Sequence, residues 1–217
     1  MIKAVVFDLW GTLFRNYYDH DEFVAKASAV LGKPFNPRLY EEVRSTRTGI
    51  STEDAAKQII ERHGLEPTPE LMGTYLQLWF EFINAKKELY PDSIETLKAV
   101  KAKGFKIALL SNCGETTLKF VQDSHLKDYV DVLHLSCLTG HIKPDRDAFD
   151  GVLADLKVKP GEAVMVGDNI EHDIRPAKAF GMKAVLVNRD GSKPGKELAD
   201  ASIKSLKELI PVLEKLK

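Results

Sequence analysis

Cysteine is nearly absent from this chain of 217 residues: Cys113 and Cys137 stand alone, with no CxxC spacing. That scarcity argues against a disulfide scaffold or a thiolate zinc site, and it fits a reducing, cytoplasmic setting. An excess of one charge is also missing, with 31 basic and 32 acidic residues and a formal net charge of -1. No basic stripe or like-charge block stands out, so nucleic acid is not expected as a partner. The lysines at 98, 101, 103 and 106 read as the wet face of one helix and its exit. No apolar run approaches the roughly 18 residues needed to cross a bilayer, so no membrane partner is expected. The apolar run after Lys3 ends at Asp8, too short for a signal peptide. Repeats and low-complexity tracts are missing as well. Glutamine is scarce against abundant Lys and Glu, a bias of heat-adapted proteins.

What is present describes a soluble globular protein, with 44% hydrophobic and 29% charged residues. The length allows one α/β domain and a smaller module. Apolar runs at 2–8, 105–110, 162–167 and 183–187 read as core strands, with a weaker one at 130–135. Helical patterns lie between them at 92–103, 145–156 and 171–180, with another at 204–216. Gly104 and Gly181 sit where C-terminal glycines stop helices. Strands alternating with helices imply a mostly parallel sheet covered on both faces. Residues 15–88 differ, with helical stretches at 20–31, 37–46, 51–63 and 69–86 and no convincing strand. The expected organisation is an α/β Rossmann-like core, residues 1–14 and 89–217, with a helical cap, residues 15–88, inserted after the first strand.

The residues that carry chemistry stand at strand ends, where open α/β sheets place their sites. Asp8 closes the first strand and is followed by Leu9-Trp10-Gly11-Thr12. Its carboxylate suits a nucleophile that forms a covalent intermediate. Ser111-Asn112 closes the second strand, Lys143-Pro144-Asp145 precedes a helix, and Gly167-Asp168-Asn169-Ile170-Glu171-His172-Asp173 closes another strand. Asp168 and Asp173 offer hard oxygens that, with Asp8, suit Mg²⁺. Lys143 supplies a fixed positive charge, and Ser111 with nearby backbone N–H groups can donate to phosphoryl oxygens. Trp10, Gly11, Thr12, Ser111 and Asn112 form the expected substrate-binding set.

In their order and spacing these four segments resemble the haloacid dehalogenase-like superfamily. The helical insertion resembles its class I cap. The resemblance implies Asp8 and Lys143 as catalytic residues. It implies Mg²⁺ held by Asp8, Asp168, Asp173 and the backbone carbonyl of Trp10. A small phosphorylated metabolite is the implied substrate, and a monomer or homodimer the implied state.

Trp10 departs from the phosphatase pattern, in which the residue two after the nucleophile is commonly a second Asp that moves protons. Indole only donates hydrogen bonds and does not titrate near neutrality. Members of the superfamily that act on 2-haloacids carry a non-acidic residue there, but they also carry a neutral segment where this chain has Asp168. An ionised Asp168 would repel a substrate carboxylate. The favoured expectation is therefore a Mg²⁺-dependent phosphohydrolase lacking its usual proton shuttle. A 2-haloacid dehalogenase and a weakly catalytic phospho-ligand-binding protein stay open as alternatives. A phosphonatase would need a cap lysine, and Lys26, Lys33 and Lys57 are the candidates. Asp19, His20 and Asp21 are candidate replacements for the lost acid, and Arg38, Arg44 and Arg47 could meet an anion in the cap. Asn169 could touch substrate or cap the next helix; His141, His172 and Cys113 read as bystanders.

Overall fold

The computed structural model describes residues 1–18, 20–45 and 49–216. Its sheet contains β1 (Ala4–Phe7), β4 (Lys106–Ser111), β5 (Val132–Leu135), β6 (Ala163–Gly167), β7 (Lys183–Val187) and β8 (Ala201–Ile203). The strand order is β5-β4-β1-β6-β7-β8, and every pairing is parallel. After β1 the chain builds outward through β4 and β5, then returns to the other side of β1 for β6. The reversal places a crevice at the carboxyl ends of β1 and β6.

Alternation along the strands divides the core into two layers. Val5, Phe7, Ile107, Leu109, Val164 and Val166 face one way, packing with Leu97 and Val100 of α5 (Ser93–Ala102), Val121 of α6 (Glu115–Asp123) and Leu209 and Leu213 of α10 (Leu209–Lys215). Ala4, Val6, Ala108, Leu110, Ala163 and Met165 face the other, against Phe149, Val152 and Leu153 of α8 (Arg146–Leu156) and Ala177 of α9 (Arg175–Ala179). Side chains of period two, apolar on both faces, require helices on both sides of the sheet. A single helical turn, α7 (Ser136–Thr139), follows β5.

A third core belongs to the helical cap inserted between the first strand and the rest of the sheet. Its helices are α1 (His20–Leu31), α2 (Pro37–Ser45), α3 (Thr52–Arg62) and α4 (Pro69–Asn84). Phe23, Phe35, Tyr40, Tyr75 and Trp79 form its aromatic centre, with Phe23 stacked on Phe82 at 4.6 Å between centroids. The caps follow the sequence: Ser51 Oγ accepts from Asp54 N at 3.0 Å, and Thr68 Oγ1 accepts from Leu71 N at 3.3 Å before Pro69.

Three expectations are corrected. The segment read as strand-free contributes to an antiparallel ribbon, β2 (Phe14–Asn16) with β3 (Lys87–Leu89). Strands of three residues are too short to show an alternation. β8 escaped the reading for the same reason. The helix expected at 171–180 opens instead as a wide turn over Ile170–Ile174, in which Asp173 N and Ile174 N both donate to Asn169 O. Pro176 lacks the N–H a regular helix would use there. Among the described residues, no helix is long and apolar enough to cross a membrane.

Candidate active site

Asp8 follows β1 directly, and its backbone N–H donates to Val166 O of β6 at 2.9 Å. This bond continues the β1–β6 ladder and fixes the carboxylate in the crevice, where the residue is 5% exposed. Lys143 reaches the same point from the loop before α8. Its Nζ donates to Asp8 Oδ1 at 2.7 Å and to Asp173 Oδ1 at 2.6 Å. Lys143 is itself held by the Asn112 amide, which accepts from Lys143 N at 2.7 Å and donates to Lys143 O at 2.8 Å.

Asp173 is fully buried, and its Oδ2 accepts from Asn169 N at 3.0 Å. The wide turn brings it back over Gly167, where a Cβ would lie 2.3 Å from Asp173 Oδ2. Gly11 is constrained in the same way. Its φ is +75°, and a Cβ there would lie 2.3 Å from Asp168 Oδ2. Asp168 is held by a residue outside the sequence motifs: Lys193 Nζ donates to both Asp168 Oδ2 and Asp168 O at 2.6 Å. Lys193 sits in the loop after β7, among Gly and Pro, where no periodicity marks it.

One carboxylate oxygen from each of Asp8, Asp168 and Asp173 lies within 4.8 Å of the others. Burial pushes the Asp8 carboxyl up to about 7; Lys143 opposes this, while Asp173 and Asp168 add to it. Burial also raises Asp168, with Lys193 opposing and Asp173 reinforcing. Lys143 is raised despite its burial, because Asp173 and Asp8 favour its charge. Three carboxylates against two ammonium groups leave excess negative charge in a sheltered place. An all-oxygen set of this kind fits a hard divalent cation.

A cavity of about 430 Å³ opens over these groups. Asp8, Trp10, Gly11, Ser111, Asn112, Lys143, Asp168 and Asp173 all line it. Among the described residues, Ser111 Oγ is buried there without a hydrogen-bond partner. Thr12 is the exception among the expected site residues. It is buried off the cavity, and its carbonyl accepts from Arg189 Nη2 at 2.7 Å. The Trp10 indole is half-buried, with its ring 5.6 Å from that of Phe14.

The cap candidates and the residues beside the core motifs separate clearly. His20, Arg44, His172 and Asn169 line the cavity, whereas Asp21, Arg38 and His141 do not. Arg38 is paired with Glu42 at 3.2 Å and Asp145 at 2.7 Å. Asp19 and Arg47 lie outside the described residues. Lys26 pairs with Glu22, Lys33 donates to His63 O, and Lys57 lies beside Glu61, all away from the cavity. The cap-side lysine that does line it is Lys87, which no motif marks. Cys113 is buried against Cys137, Sγ to Sγ 3.9 Å, off the cavity.

Comparison with known proteins gives the same frame. The profile of the haloacid dehalogenase-like hydrolases matches residues 2–181. A ribulose-1,5-bisphosphate 5-phosphatase of Halopiger xanaduensis is 33% identical, over 92% of this chain and 90% of that protein. An (S)-2-haloacid dehalogenase 4A of Burkholderia cepacia is 31% identical, over 99% of this chain and 96% of that one. The crystal structure of a HAD phosphatase from Thermococcus onnurineus superposes with a TM-score of 0.63 at 29% identity, covering 98% of each chain. Sequence profile, relatives and architecture agree along nearly the whole length, and the chain belongs to the haloacid dehalogenase-like hydrolases.

Proposed function

We propose that this hydrolase is a Mg²⁺-dependent phosphohydrolase acting through Asp8 on a small phosphorylated substrate. The observation that carries the reading is the acidic trio, Asp8, Asp168 and Asp173, with oxygens within 4.8 Å of one another. Two carboxylates beside the nucleophile oppose a substrate that brings its own carboxylate to that spot. They suit one whose phosphate arrives with a cation. Asp8, Asp168, Asp173 and the Trp10 carbonyl would hold Mg²⁺, which when bound neutralises phosphate charge and fixes the phosphoryl group beside the nucleophile.

The chain's own residues account for the remaining chemistry. An Asp8 oxygen attacks phosphorus, and the bond from phosphorus to the leaving oxygen breaks with its electron pair going to that oxygen. Lys143 orients Asp8 through the 2.7 Å contact and brings positive charge to the transferring group. Ser111 Oγ and backbone N–H groups of the crevice donate to its oxygens. Water then attacks the phosphorus of the aspartyl phosphate, and the phosphorus–oxygen bond to Asp8 breaks with its electron pair returning to the carboxylate. Inorganic phosphate leaves carrying the water oxygen and sheds its extra proton to solvent. Trp10 neither protonates the leaving oxygen nor activates that water. Such proton transfer is worth about 10²- to 10⁴-fold in rate, so turnover is slow unless the leaving group is already good.

Trp10 and the Burkholderia relative favour a second reading, hydrolysis of a 2-haloacid. One experiment separates the two. The expected result is phosphate release from p-nitrophenyl phosphate with Mg²⁺, abolished by EDTA and by Asp8→Asn, and faster on aryl and acyl phosphates than on alkyl ones. Halide release from 2-chloropropionate that ignores EDTA, without phosphatase activity, would overturn the proposal.

A further inference from the structure

Two cations in the active-site cavity have no role in the reaction just described. Arg44 lies in the last turn of α2 and Lys87 in β3, and both line the cavity that holds Asp8. Among the described residues Arg44 Nε is buried without a hydrogen-bond partner, and its guanidinium carbon lies 5.2 Å from the Tyr40 ring centre. Lys87 Nζ donates to Ile83 O and to Ala85 O, the latter at 3.0 Å. These carbonyls at the end of α4 carry partial charge only.

Of the neighbouring carboxylates, Glu41 lines the same cavity and Glu115 does not. Glu41 accepts from the Asn112 amide at 3.2 Å, and Glu115 accepts from Gly49 N at 2.7 Å. Among the described residues neither Arg44 nor Lys87 forms an ion pair. Burial lowers the Lys87 ammonium and the Arg44 charge lowers it further, with no carboxylate acting the other way. Two cations that repel each other inside one cavity are unfavourable until an anion sits between them.

The transferring phosphoryl group already has Lys143 and Ser111. We propose that Arg44 and Lys87 form a second anion subsite, so that the substrate is a phosphomonoester carrying another anionic group, a carboxylate or a second phosphate. This rests on the phosphohydrolase reading, and the test keeps the two apart.

Glycerol 3-phosphate and 3-phosphoglycerate differ only where a hydroxymethyl replaces a carboxylate. Propane-1,3-diyl bisphosphate and 3-hydroxypropyl phosphate form the matching pair for a second phosphate. Turnover with Mg²⁺ is measured on both pairs, and binding to the Asp8→Asn protein is measured by calorimetry. The expected result is a preference of at least about tenfold for the doubly anionic member of one pair, as charge-assisted hydrogen bonds imply. The pair showing it identifies the anion. The preference falls toward unity in Arg44→Gln and Lys87→Met and is partly kept in Arg44→Lys, while thermal melting checks that each variant folds. Equal kcat/KM and equal binding within both pairs, or a preference unmoved by Arg44→Gln, would overturn the subsite and leave the phosphohydrolase reading standing. A binding preference lost in Arg44→Gln, with no phosphate released from any ester, would do the reverse.

Discussion

Replacing Asp92 by alanine should destabilise the protein by about 3 kcal/mol, although Asp92 touches neither the cavity nor the acidic trio. Asp92 is buried at the start of α5 and receives Arg189 as a fork, Nη1 to Oδ2 at 3.0 Å and Nη2 to Oδ1 at 3.1 Å. Ser205 Oγ at 2.8 Å and Leu206 N at 2.9 Å also donate to it. Removing it takes the acceptor from Arg189 Nη1, Ser205 Oγ and Leu206 N and the counter-charge from Arg189, whose Nη2 keeps only Thr12 O. Breaking a buried pair costs about 3–5 kcal/mol, and the lower figure applies here. Arg189 keeps 21% of its side-chain surface in water and its guanidinium lies 3.6 Å over the Tyr90 ring, so part of its charge stays solvated and supported. At roughly 2–4 °C per kcal/mol for a chain of this size, the melting temperature should fall by about 6–12 °C. Burial works against the Asp92 carboxylate, but Arg189 and Ser205 outweigh it and hold the group below its ordinary value. Its stabilisation is therefore complete above the unfolded value of about 3.9 and lost as pH falls toward the lower folded value. Calorimetric melting of wild type and Asp92→Ala from pH 7 to pH 3 is the assay. The gap should be full at pH 7 and shrink below about pH 4. A gap under 1 °C at pH 7, or one that widens in acid, would refute the reasoning.

Two further changes probe the acidic trio from its supports. Gly11→Ala imposes a side chain on a residue at φ +75° and drives its Cβ to 2.3 Å from Asp168 Oδ2. The strain alone costs about 1–2 kcal/mol, visible in melting. Displacing Asp168 should lower kcat/KM by about 10²-fold, and activity close to wild type would show that the turn yields instead. Lys193→Met removes both 2.6 Å contacts to Asp168. The Mg²⁺ concentration for half-maximal activity should rise about 10- to 100-fold, as on loss of other groups that orient a metal ligand, and an unchanged Mg²⁺ titration would remove Lys193 from that role.

The parts of the site legible in the sequence are those fixed by strand ends. Asp8, Ser111, Gly167 and Asp168 each end or follow an apolar run, and a parallel sheet gathers such ends along one edge. Lys143 and Asp173 were legible from their motifs. The wide turn that aims Asp173 was not, because it depends on Asn169 O accepting from both Asp173 N and Ile174 N and on the N–H that Pro176 lacks. Thr12 does not line the cavity, since adjacent turn residues point in different directions and the tertiary contact with Arg189 holds its carbonyl. Lys193, Lys87 and Arg189 sit in loops or three-residue strands, where periodicity carries no signal. The arginines at 38 and 44 look alike in sequence. Their helix turns one toward Asp145 and the other into the cavity, a difference set by rotation about α2.

The ribbon of β2 and β3 has a consequence for how such a protein diversifies. Asn16 pairs with Lys87, so the two passages between sheet and cap lie side by side. Paired residues on antiparallel strands are only about 5 Å apart. An inserted segment with clasped ends presents the same junction to the sheet whatever its length, and loop-closure entropy grows only slowly with that length. The cap can be rewritten, lengthened or exchanged while the strand that carries Asp8 keeps its neighbours. New substrates then become a matter of new caps over an unaltered reaction centre.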